Sequence, residues 1–350
     1  MPSPPPSNKA LFFKKIPTTF PIPGEHLATE LAPYPSSIAA PPGGIVVQSL
    51  YASLDPYMRG RMRDPGTRTY NTPFTIDQPI DSRIISKVIR SDNAEFPEGE
   101  ILLGRLPIQE YVAVDKQTLE SGTIKKLENP LGIQDIRIFL GVLGMPGLTA
   151  YSSLYDIGKP KKGETIFVSA ASGAVGALVG QLAKAEGLRV IGSVGSDSKL
   201  EFIIKKLGFD GGFNYKTETP ASALSRLAPD GIDIYYENVG GAHLEAALNA
   251  MNNFGRVVVC GLISQYNSEP YPLVNFHHVL HKRLTVRGFI VSDANMGPVW
   301  AKEHAERVGA WVKEGRVKTL THETVGVDNA GRALVELFSG GNYGKAVLKF

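Results

Sequence analysis

The chain has a single cysteine, Cys260, in 350 residues, and this scarcity limits its covalent and its metal chemistry. No disulfide can form within the chain, and neither a four-cysteine structural zinc site nor a cysteine-based catalytic zinc site can be assembled. Cys260 lies in the apolar run "VVVCG", which favours a buried core thiol. We therefore expect no metal at the reaction site.

Long apolar runs and an excess of charge of one sign are also lacking. No run approaches the roughly 18 to 20 apolar residues that a membrane helix needs, and the net charge is only +3. The lysines and arginines are scattered, which argues against nucleic acid as a partner. The start, "MPSPPPSNK", lacks the basic and apolar regions of a signal peptide and predicts a short disordered tail. We expect a cytosolic protein with a small-molecule partner and no membrane partner.

The length and the ordinary globular composition predict two domains, each with its own core. Short β-prone pieces between proline and glycine turns predict a mostly β domain from 1–143, which 316–350 rejoin. Within 144–315, strands alternate with helices, beginning "ETIFVSA" and "GAVGALVGQLAKAEG" and including a helix over "AHLEAALNAMNNFG". This alternation predicts an α/β domain with a doubly wound parallel sheet, the Rossmann fold.

The turn after the first of these strands carries the frame Ala171-x-Gly173-x-x-Gly176, the dinucleotide fingerprint with alanine at its first glycine. Gly173 would let the backbone approach a pyrophosphate, and Gly176 would let the helix pack closely on the sheet. The alternative is that small residues merely open a tightly packed helix, with Gly180 on the same face. The strand before and the helix after favour a nucleotide site.

The end of the second strand indicates which nucleotide binds. An NAD site usually has Asp or Glu there, about 20 residues past the glycines, whereas this window holds Ser193–Gly195. The nearest acid, Asp197, is predicted to start a helix whose capping box is Ser198 with Glu201. Lys199 then lies in the first helical turn, where a cation gains nothing from the helix dipole. A bound 2′-phosphate would explain it, so NADPH is the expected cofactor, and a solvated surface lysine is the alternative.

The candidates for metal or nucleophilic chemistry are weak. In "NFHHVLHKR", His277 and His281 are one helical turn apart, yet no HExxH glutamate and no obvious third ligand accompanies them. We expect surface or loop histidines. No nucleophile elbow G-x-S-x-G is present, so a Ser-His-Asp arrangement is unsupported.

The motifs together resemble a known family. The stretches "AASGAVG", "DPYMRGRM", "MPGLTAY", "FNYKT", "ENVGG", "CGLISQYN" and "GGNYGKAVLKF" are similar to the zinc-independent medium-chain dehydrogenases/reductases. Within that family they resemble the NADPH-dependent alkenal/one (double-bond) reductase branch, with prostaglandin reductase and leukotriene B4 dehydrogenase. The similarity runs from about Asn8 to Phe350. It implies that the β domain is a GroES-like catalytic domain and that the protein is a homodimer.

The resemblance also assigns positions. The family's pyrophosphate loop falls on Gly173, Ala174, Val175 and Gly176, and its 2′-phosphate contacts fall on Lys199 and Tyr215. Its other cofactor contacts fall on Asn238, Cys260, Gly261, Leu262, Ile263, Phe289, Ile290, Val291 and Asn342. From local sequence alone, Asn238 and Asn342 could equally have a turn role beside glycines.

The implied activity is NADPH-dependent reduction of the C=C bond of enals and enones, as in a 2-alkenal reductase. Hydride transfer to the β-carbon leaves charge on the carbonyl oxygen, which must be stabilised. Tyr266, at the exit of the strand "VVV", is a neutral phenol that can donate a hydrogen bond there. Tyr57 in "DPYMR" is a second candidate, with the alternative that it only packs.

Two questions stay open from the sequence. In "GRLPIQEY" the family usually has a glycine-and-tryptophan segment where this chain has Leu106, Pro107 and Ile108, so the substrate's shape is undecided. The function also has alternatives: an NADPH quinone oxidoreductase, or a nucleotide-binding protein of this fold without turnover.

Overall fold

The structure, a computed structural model, describes residues 7–33 and 40–350. These residues form two compact units, one of residues up to 140 together with 321–350 and one of residues 141–320. The predicted domain boundaries, 144 and 315, lie a few residues inside the second unit. The predicted disordered start falls on residues 1–6, outside the described residues. Every helix of the described chain is too short or too polar to cross a bilayer.

The elements are numbered in chain order. The strands are β1 Lys9–Phe13, β2 Leu27–Leu31, β3 Ile45–Ser53, β4 Gln78–Pro79, β5 Asp81–Ser91, β6 Ile101–Pro107, β7 Tyr111–Val114, β8 Ile124–Lys126, β9 Thr165–Val168, β10 Arg189–Val194, β11 Gly211–Asn214, β12 Ile232–Glu237, β13 Met251–Val259, β14 Thr285–Gly288, β15 Thr321–Val325 and β16 Lys345–Lys349. The helices are α1 Met58–Arg61, α2 Lys116–Glu120, α3 Met145–Ser153, α4 Ala174–Ala185, α5 Asp197–Lys205, α6 Pro220–Leu227, α7 Gly241–Ala250, α8 His278–His281, α9 Gly297–Lys313 and α10 Ala330–Phe338.

The first unit is mostly β, as predicted. One sheet has the order β2-β1-β4, and a second has the order β15-β16-β3-β5-β6-β8 with β7 also paired to β3. The last strand, β16, runs antiparallel to β3, with Val347 opposite Ser53. The C-terminal residues therefore complete a sheet that the N-terminal part of the chain begins.

The second unit is built on a six-stranded sheet with the order β11-β10-β9-β12-β13-β14. All of its neighbouring strands are parallel. Side chains of β9 alternate between two cores, because Ile166 and Val168 pack in one cluster and Phe167 in the other. Strand order reverses between β9 and β12, which makes this the predicted doubly wound sheet.

One predicted helix end is wrong. The helix expected over "AHLEAALNAMNNFG" ends at Ala250, and β13 begins at Met251. Met251 has extended backbone (φ −60°, ψ 139°) and pairs with Ile232. The register then shifts before Arg256, across a segment in which Phe254 adopts a left-handed φ of 64°. The sequence at this irregular strand start has no hydrophobic periodicity that distinguishes it from the end of a helix.

Candidate active site

The predicted cofactor segments of the second unit all follow strands of the parallel sheet. They are residues 169–176 after β9, 195–199 after β10, Tyr215 after β11, Asn238 after β12, 260–266 after β13 and 289–291 after β14. The carboxyl ends of parallel strands share one edge of a sheet, so these segments lie along the same edge. In open α/β sheets this edge, near the reversal of strand order, is where ligands bind.

The glycines of the fingerprint turn have different surroundings. A Cβ added at Gly176 would meet the carbonyl oxygen of Ala170 at 2.5 Å, so α4 can approach the turn only because this residue lacks a side chain. Ala170 itself has a left-handed φ of 49°. At Gly180 a Cβ would meet the ring of Phe209 at 2.0 Å, so this glycine serves helix packing, as the alternative expectation held.

Gly173 caps α4 and is far less confined. Its backbone is extended (φ −80°, ψ 174°), and only the Ala170 oxygen, at 3.2 Å, lies within 4 Å of where its Cβ would be. No side chain caps the helix. The first amides of a helix have no partner within the helix and attract anions. The small residue at 173 therefore leaves room for a pyrophosphate at this helix end.

The segment after β10 carries Lys199 in the first turn of α5. The helix starts at Asp197 as predicted, but Ser196 is its cap rather than Ser198, because the Ser196 hydroxyl accepts from the Lys199 amide at 3.3 Å. The Asp197 carboxylate accepts a hydrogen bond from the Asn214 amide group at 2.9 Å. This acid is thus engaged with the end of β11.

A cationic pair lies at the same end of the sheet. Lys199 is only 6% exposed, and burial and then the charge of Lys216 lower the pKa of its ammonium group. Tyr215 lies against the end of β10, since a Cβ at Gly195 would meet its hydroxyl oxygen at 2.9 Å. Two lysines whose charges repel each other suit a bound dianion, which relieves that repulsion. These residues fit the 2′-phosphate of NADPH.

Glu237, at the end of β12, was not identified from the sequence. Its Oε1 accepts from the amides of Val239 and Gly240, at 2.6 and 2.8 Å, and from the hydroxyl of Tyr235, at 2.7 Å. Its Oε2 is buried without a hydrogen-bond partner. Burial raises the pKa of this carboxyl above its ordinary value.

The Glu237 carboxyl therefore fixes the turn that presents Asn238. The Asn238 side chain donates to the carbonyl oxygen of Ser169 at 2.7 Å, and its backbone amide donates to the Ser169 hydroxyl at 2.9 Å. These bonds join the ends of β9 and β12. A buried acid of this kind has only one sequence signal, a charged residue that ends an apolar strand.

The segment after β13 turns back on itself. Residues Ile263–Gln265 form a short 3₁₀ helix that Tyr266 ends, and a Cβ at Gly261 would meet the Tyr266 hydroxyl oxygen at 3.3 Å. Tyr266 is thus half-buried, with its hydroxyl close to the strand exit. Cys260 is also half-buried as a residue, and burial of its thiol raises the pKa to about 12. At neutral pH this thiol stays protonated.

Residues Phe289–Val291 follow β14 and lie outside the sheet. Phe289 packs on the core cluster beside α4, and the Val291 carbonyl accepts from the Gly297 amide at 3.0 Å. A Cβ at Gly297 would come within 2.2 Å of that carbonyl oxygen. The start of α9 therefore holds this segment in place.

Two of the predicted residues, Tyr57 and Asn342, belong to the first unit. Burial and then the charge of Asp55 raise the pKa of the Tyr57 hydroxyl. Asp55 forms a buried ion pair with Lys345, with 3.1 Å between Oδ1 and Nζ. The Asn342 side chain donates to the Gly344 carbonyl at 2.8 Å, which is a turn role.

The stretch that left the substrate's shape open is mostly internal. Leu106 is 3% exposed and Ile108 is fully buried in the first unit. Only Pro107, between them, is half-buried. The departure from the family's pattern at Leu106 and Ile108 is thus accommodated in the core.

The second unit has the architecture of a dinucleotide-binding protein, and comparisons with known proteins agree. Residues 174–305 match the family described as "Zinc-binding dehydrogenase", and residues 9–121 match that described as "N-terminal domain of oxidoreductase". The "NADP-dependent oxidoreductase RED1" of Cochliobolus heterostrophus is 50% identical over 98% of this chain and 97% of its own. The "2-alkenal reductase (NADP(+)-dependent)" of Nicotiana tabacum is 42% identical, over 98% and 97%.

A solved structure is similar throughout. The structure of CurA from Vibrio vulnificus in complex with NADPH covers 97% of this chain and 98% of its own, with 36% identity and a TM-score of 0.88. The chain therefore belongs to the medium-chain dehydrogenase/reductase family of NADP-dependent oxidoreductases.

Proposed function

We propose that the chain is an NADPH-dependent reductase of the C=C bond conjugated to a carbonyl group in enals and enones. The observation that carries the proposal is the tyrosine hydroxyl of Tyr266, held near Gly261 on the ligand-binding edge of the sheet. The relative from Nicotiana tabacum that is named as a 2-alkenal reductase supports the substrate class.

The cofactor half of the proposal assigns NADPH to the edge of the second unit. Lys199 and Tyr215, with Lys216 nearby, bind the 2′-phosphate, and the N-terminus of α4 binds the pyrophosphate. Asn238 and the segments 260–263 and 289–291 bind the nicotinamide half. The family resemblance also assigns a cofactor contact to Asn342, whose side chain donates to the Gly344 carbonyl. When bound, NADPH supplies the hydride.

The substrate half of the proposal rests on hydrogen-bond donation. As a phenol, Tyr266 can donate a hydrogen bond, and in this proposal it donates to the substrate's carbonyl oxygen. That bond strengthens as negative charge develops on the oxygen. Tyr57, whose raised pKa also keeps its hydroxyl protonated, is the second candidate donor. With one cysteine in the chain, these donors act without a cysteine-held zinc.

A substrate screen tests this function. NADPH consumption is measured with alkyl enals, alkyl enones, a benzoquinone and simple ketones, and the products are identified by mass. We expect turnover of enals and enones to saturated carbonyl compounds. Turnover of the benzoquinone alone would establish the quinone oxidoreductase alternative, and NADPH binding without turnover of any compound would establish the non-enzymatic one.

We also propose that the protein is cytosolic and forms a homodimer. Light scattering of the purified chain checks the oligomeric state, and a mass of one chain would contradict the dimer. Fractionation of the source cells checks the location.

A further inference from the structure

Three histidines come together at the short helix α8. His277, His278 and His281 each offer a ring nitrogen, and the three nitrogens lie within 4.8 Å of one another. The ring centroid of His277 lies 4.4 Å from that of His278 and 5.1 Å from that of His281. His277 and His281 are exposed and His278 is half-buried. Among the described residues, no other group of this kind is found.

We propose that these histidines form a binding site for one divalent transition-metal ion, with Zn²⁺ as the probe. Imidazole nitrogens are ligands for Zn²⁺, Cu²⁺ and Ni²⁺. A tetrahedral zinc with Zn–N bonds of about 2.0 to 2.1 Å needs nitrogens about 3.4 Å apart. Exposed imidazole rings close the remaining gap by small side-chain rotations, and water completes the coordination shell.

The third ligand is what the sequence reading missed. His277 and His281 have the spacing of one helical turn, whereas neighbours on an ideal helix, such as His277 and His278, point in different directions. His277 is the residue before α8, and its ring lies beside that of His278. The three rings therefore lie close together around this single helical turn.

The nearest cations are occupied elsewhere. The Lys282 ammonium donates to the carbonyl oxygens of Leu248 and Asn249, at 3.0 and 2.6 Å, near the end of α7. The Arg283 guanidinium lies 4.6 Å from the centre of the Phe254 ring.

The location separates this site from the proposed chemistry. Helix α8 lies just before β14, at the amino end of a strand whose carboxyl end carries residues 289–291. In a parallel sheet these ends lie on opposite edges. A metal at α8 is therefore remote from the ligand-binding edge, and zinc binding does not depend on the proposed function.

Calorimetric titration tests the proposal. Protein without an affinity tag is stripped with EDTA, exchanged into buffer at neutral pH and titrated with ZnCl₂. We expect one equivalent of Zn²⁺ per chain, lost in the His277→Ala/His281→Ala variant and retained in His322→Ala, which removes an exposed histidine of β15. Circular dichroism of both variants checks that they are folded.

A second measurement reports on the ligands directly. Co²⁺ replaces Zn²⁺, and its visible absorption distinguishes coordination by histidines from a hydrated ion. We expect a protein-dependent band that the His278→Ala variant loses. Absence of stoichiometric Zn²⁺ binding in the wild type, or its retention in the double variant, would overturn the proposal.

Discussion

Tyr266 is the residue on which the proposed chemistry depends most directly. In Tyr266→Phe the ring packing beside Gly261 is kept and only the hydroxyl is lost. A donor in a closed site is worth about 2.7 to 4 kcal/mol, but the loop is short and the cofactor's ribose hydroxyl could share the task. We therefore expect the rate of hydride transfer to an enone to fall about tenfold to a hundredfold, with NADPH affinity nearly unchanged.

Single-turnover kinetics with saturating NADPH isolates this step. The matched control is Tyr271→Phe, on the same loop as Tyr266. It removes an exposed hydroxyl that is hydrogen-bonded to Glu245 of α7. If Tyr266→Phe transfers hydride at the wild-type rate, the tyrosine is a wall of the pocket. Tyr57 or the cofactor must then provide the donor.

We propose that Lys199 determines the choice between NADPH and NADH. In Lys199→Ala one charge-assisted contact with the 2′-phosphate is lost, at a cost of about 1.5 to 3 kcal/mol. We expect NADPH affinity to fall about tenfold to a hundredfold, with NADH affinity almost constant. Fluorescence titration with both cofactors measures the split, and Lys205→Ala, on the same helix but exposed and paired with Glu201, is the control. Equal weakening for both cofactors would remove Lys199 from the 2′-phosphate site.

Glu237 is a structural acid whose charge is less important than its acceptor oxygen. In Glu237→Gln an oxygen remains for the amides of Val239 and Gly240, so we expect stability to change by less than about 1 kcal/mol. In Glu237→Ala those buried donors lose their acceptor, and a loss of about 3 kcal/mol or more is expected. Urea unfolding of both variants measures the difference.

The pH dependence follows from the raised pKa of this carboxyl. The folded state holds the proton more tightly than the unfolded state, so this group's contribution falls as pH rises above the ordinary carboxyl pKa of about 4.3. Glu237→Gln lacks that slope, and it should gain stability relative to wild type between acidic and neutral pH. A constant difference across that range would show that the pKa is not raised.

At the scale of elements, the turn between β9 and α4 combines a packing glycine, Gly176, with Gly173, which we propose faces the cofactor. Gly176→Ala places a Cβ 2.5 Å from the Ala170 oxygen, so the helix must shift, at a cost of about 1 to 3 kcal/mol. Gly173→Ala meets only a 3.2 Å contact and should cost less than about 1 kcal/mol. Its expected effect is on NADPH affinity, a loss of at least about tenfold.

Unfolding and cofactor titration of both variants separate the two roles. Gly180 lies one helical turn after Gly176, and a Cβ there would clash with the Phe209 ring. Gly180→Ala is therefore the control for a packing defect away from the ligand. If Gly173→Ala binds NADPH like the wild type, the pyrophosphate does not approach α4 at this residue.

The elements show what sequence patterns can and cannot predict. The strands around Phe167 and Val257 are short, apolar and β-branched or aromatic, and their alternation with helices predicted a parallel sheet. The predicted end of the helix before β13 was wrong, because the left-handed Phe254 and the register shift at the start of β13 are set by pairing with β12. Ser196 replaced Ser198 as the cap of α5 because both fit the same local pattern.

At the scale of the whole molecule, the alternation of strands and helices predicted a doubly wound parallel sheet, and the structure adds the order of its six strands. That topology then places the segments after each strand on one edge, which no local pattern shows. Glu237 and the third histidine of α8 were missed for the same reason: their significance depends on neighbours brought close by folding. The composition added one constraint: a chain with a single cysteine cannot assemble a cysteine-based zinc site.

The measurement that most directly tests the central claim is the position of the transferred hydride. Turnover of an alkyl enone is run with NADPH deuterated at the transferred hydrogen of the nicotinamide ring, and the product is analysed by NMR. The account predicts a saturated ketone with deuterium on the β-carbon. Deuterium on the carbonyl carbon, in an allylic alcohol, would contradict it.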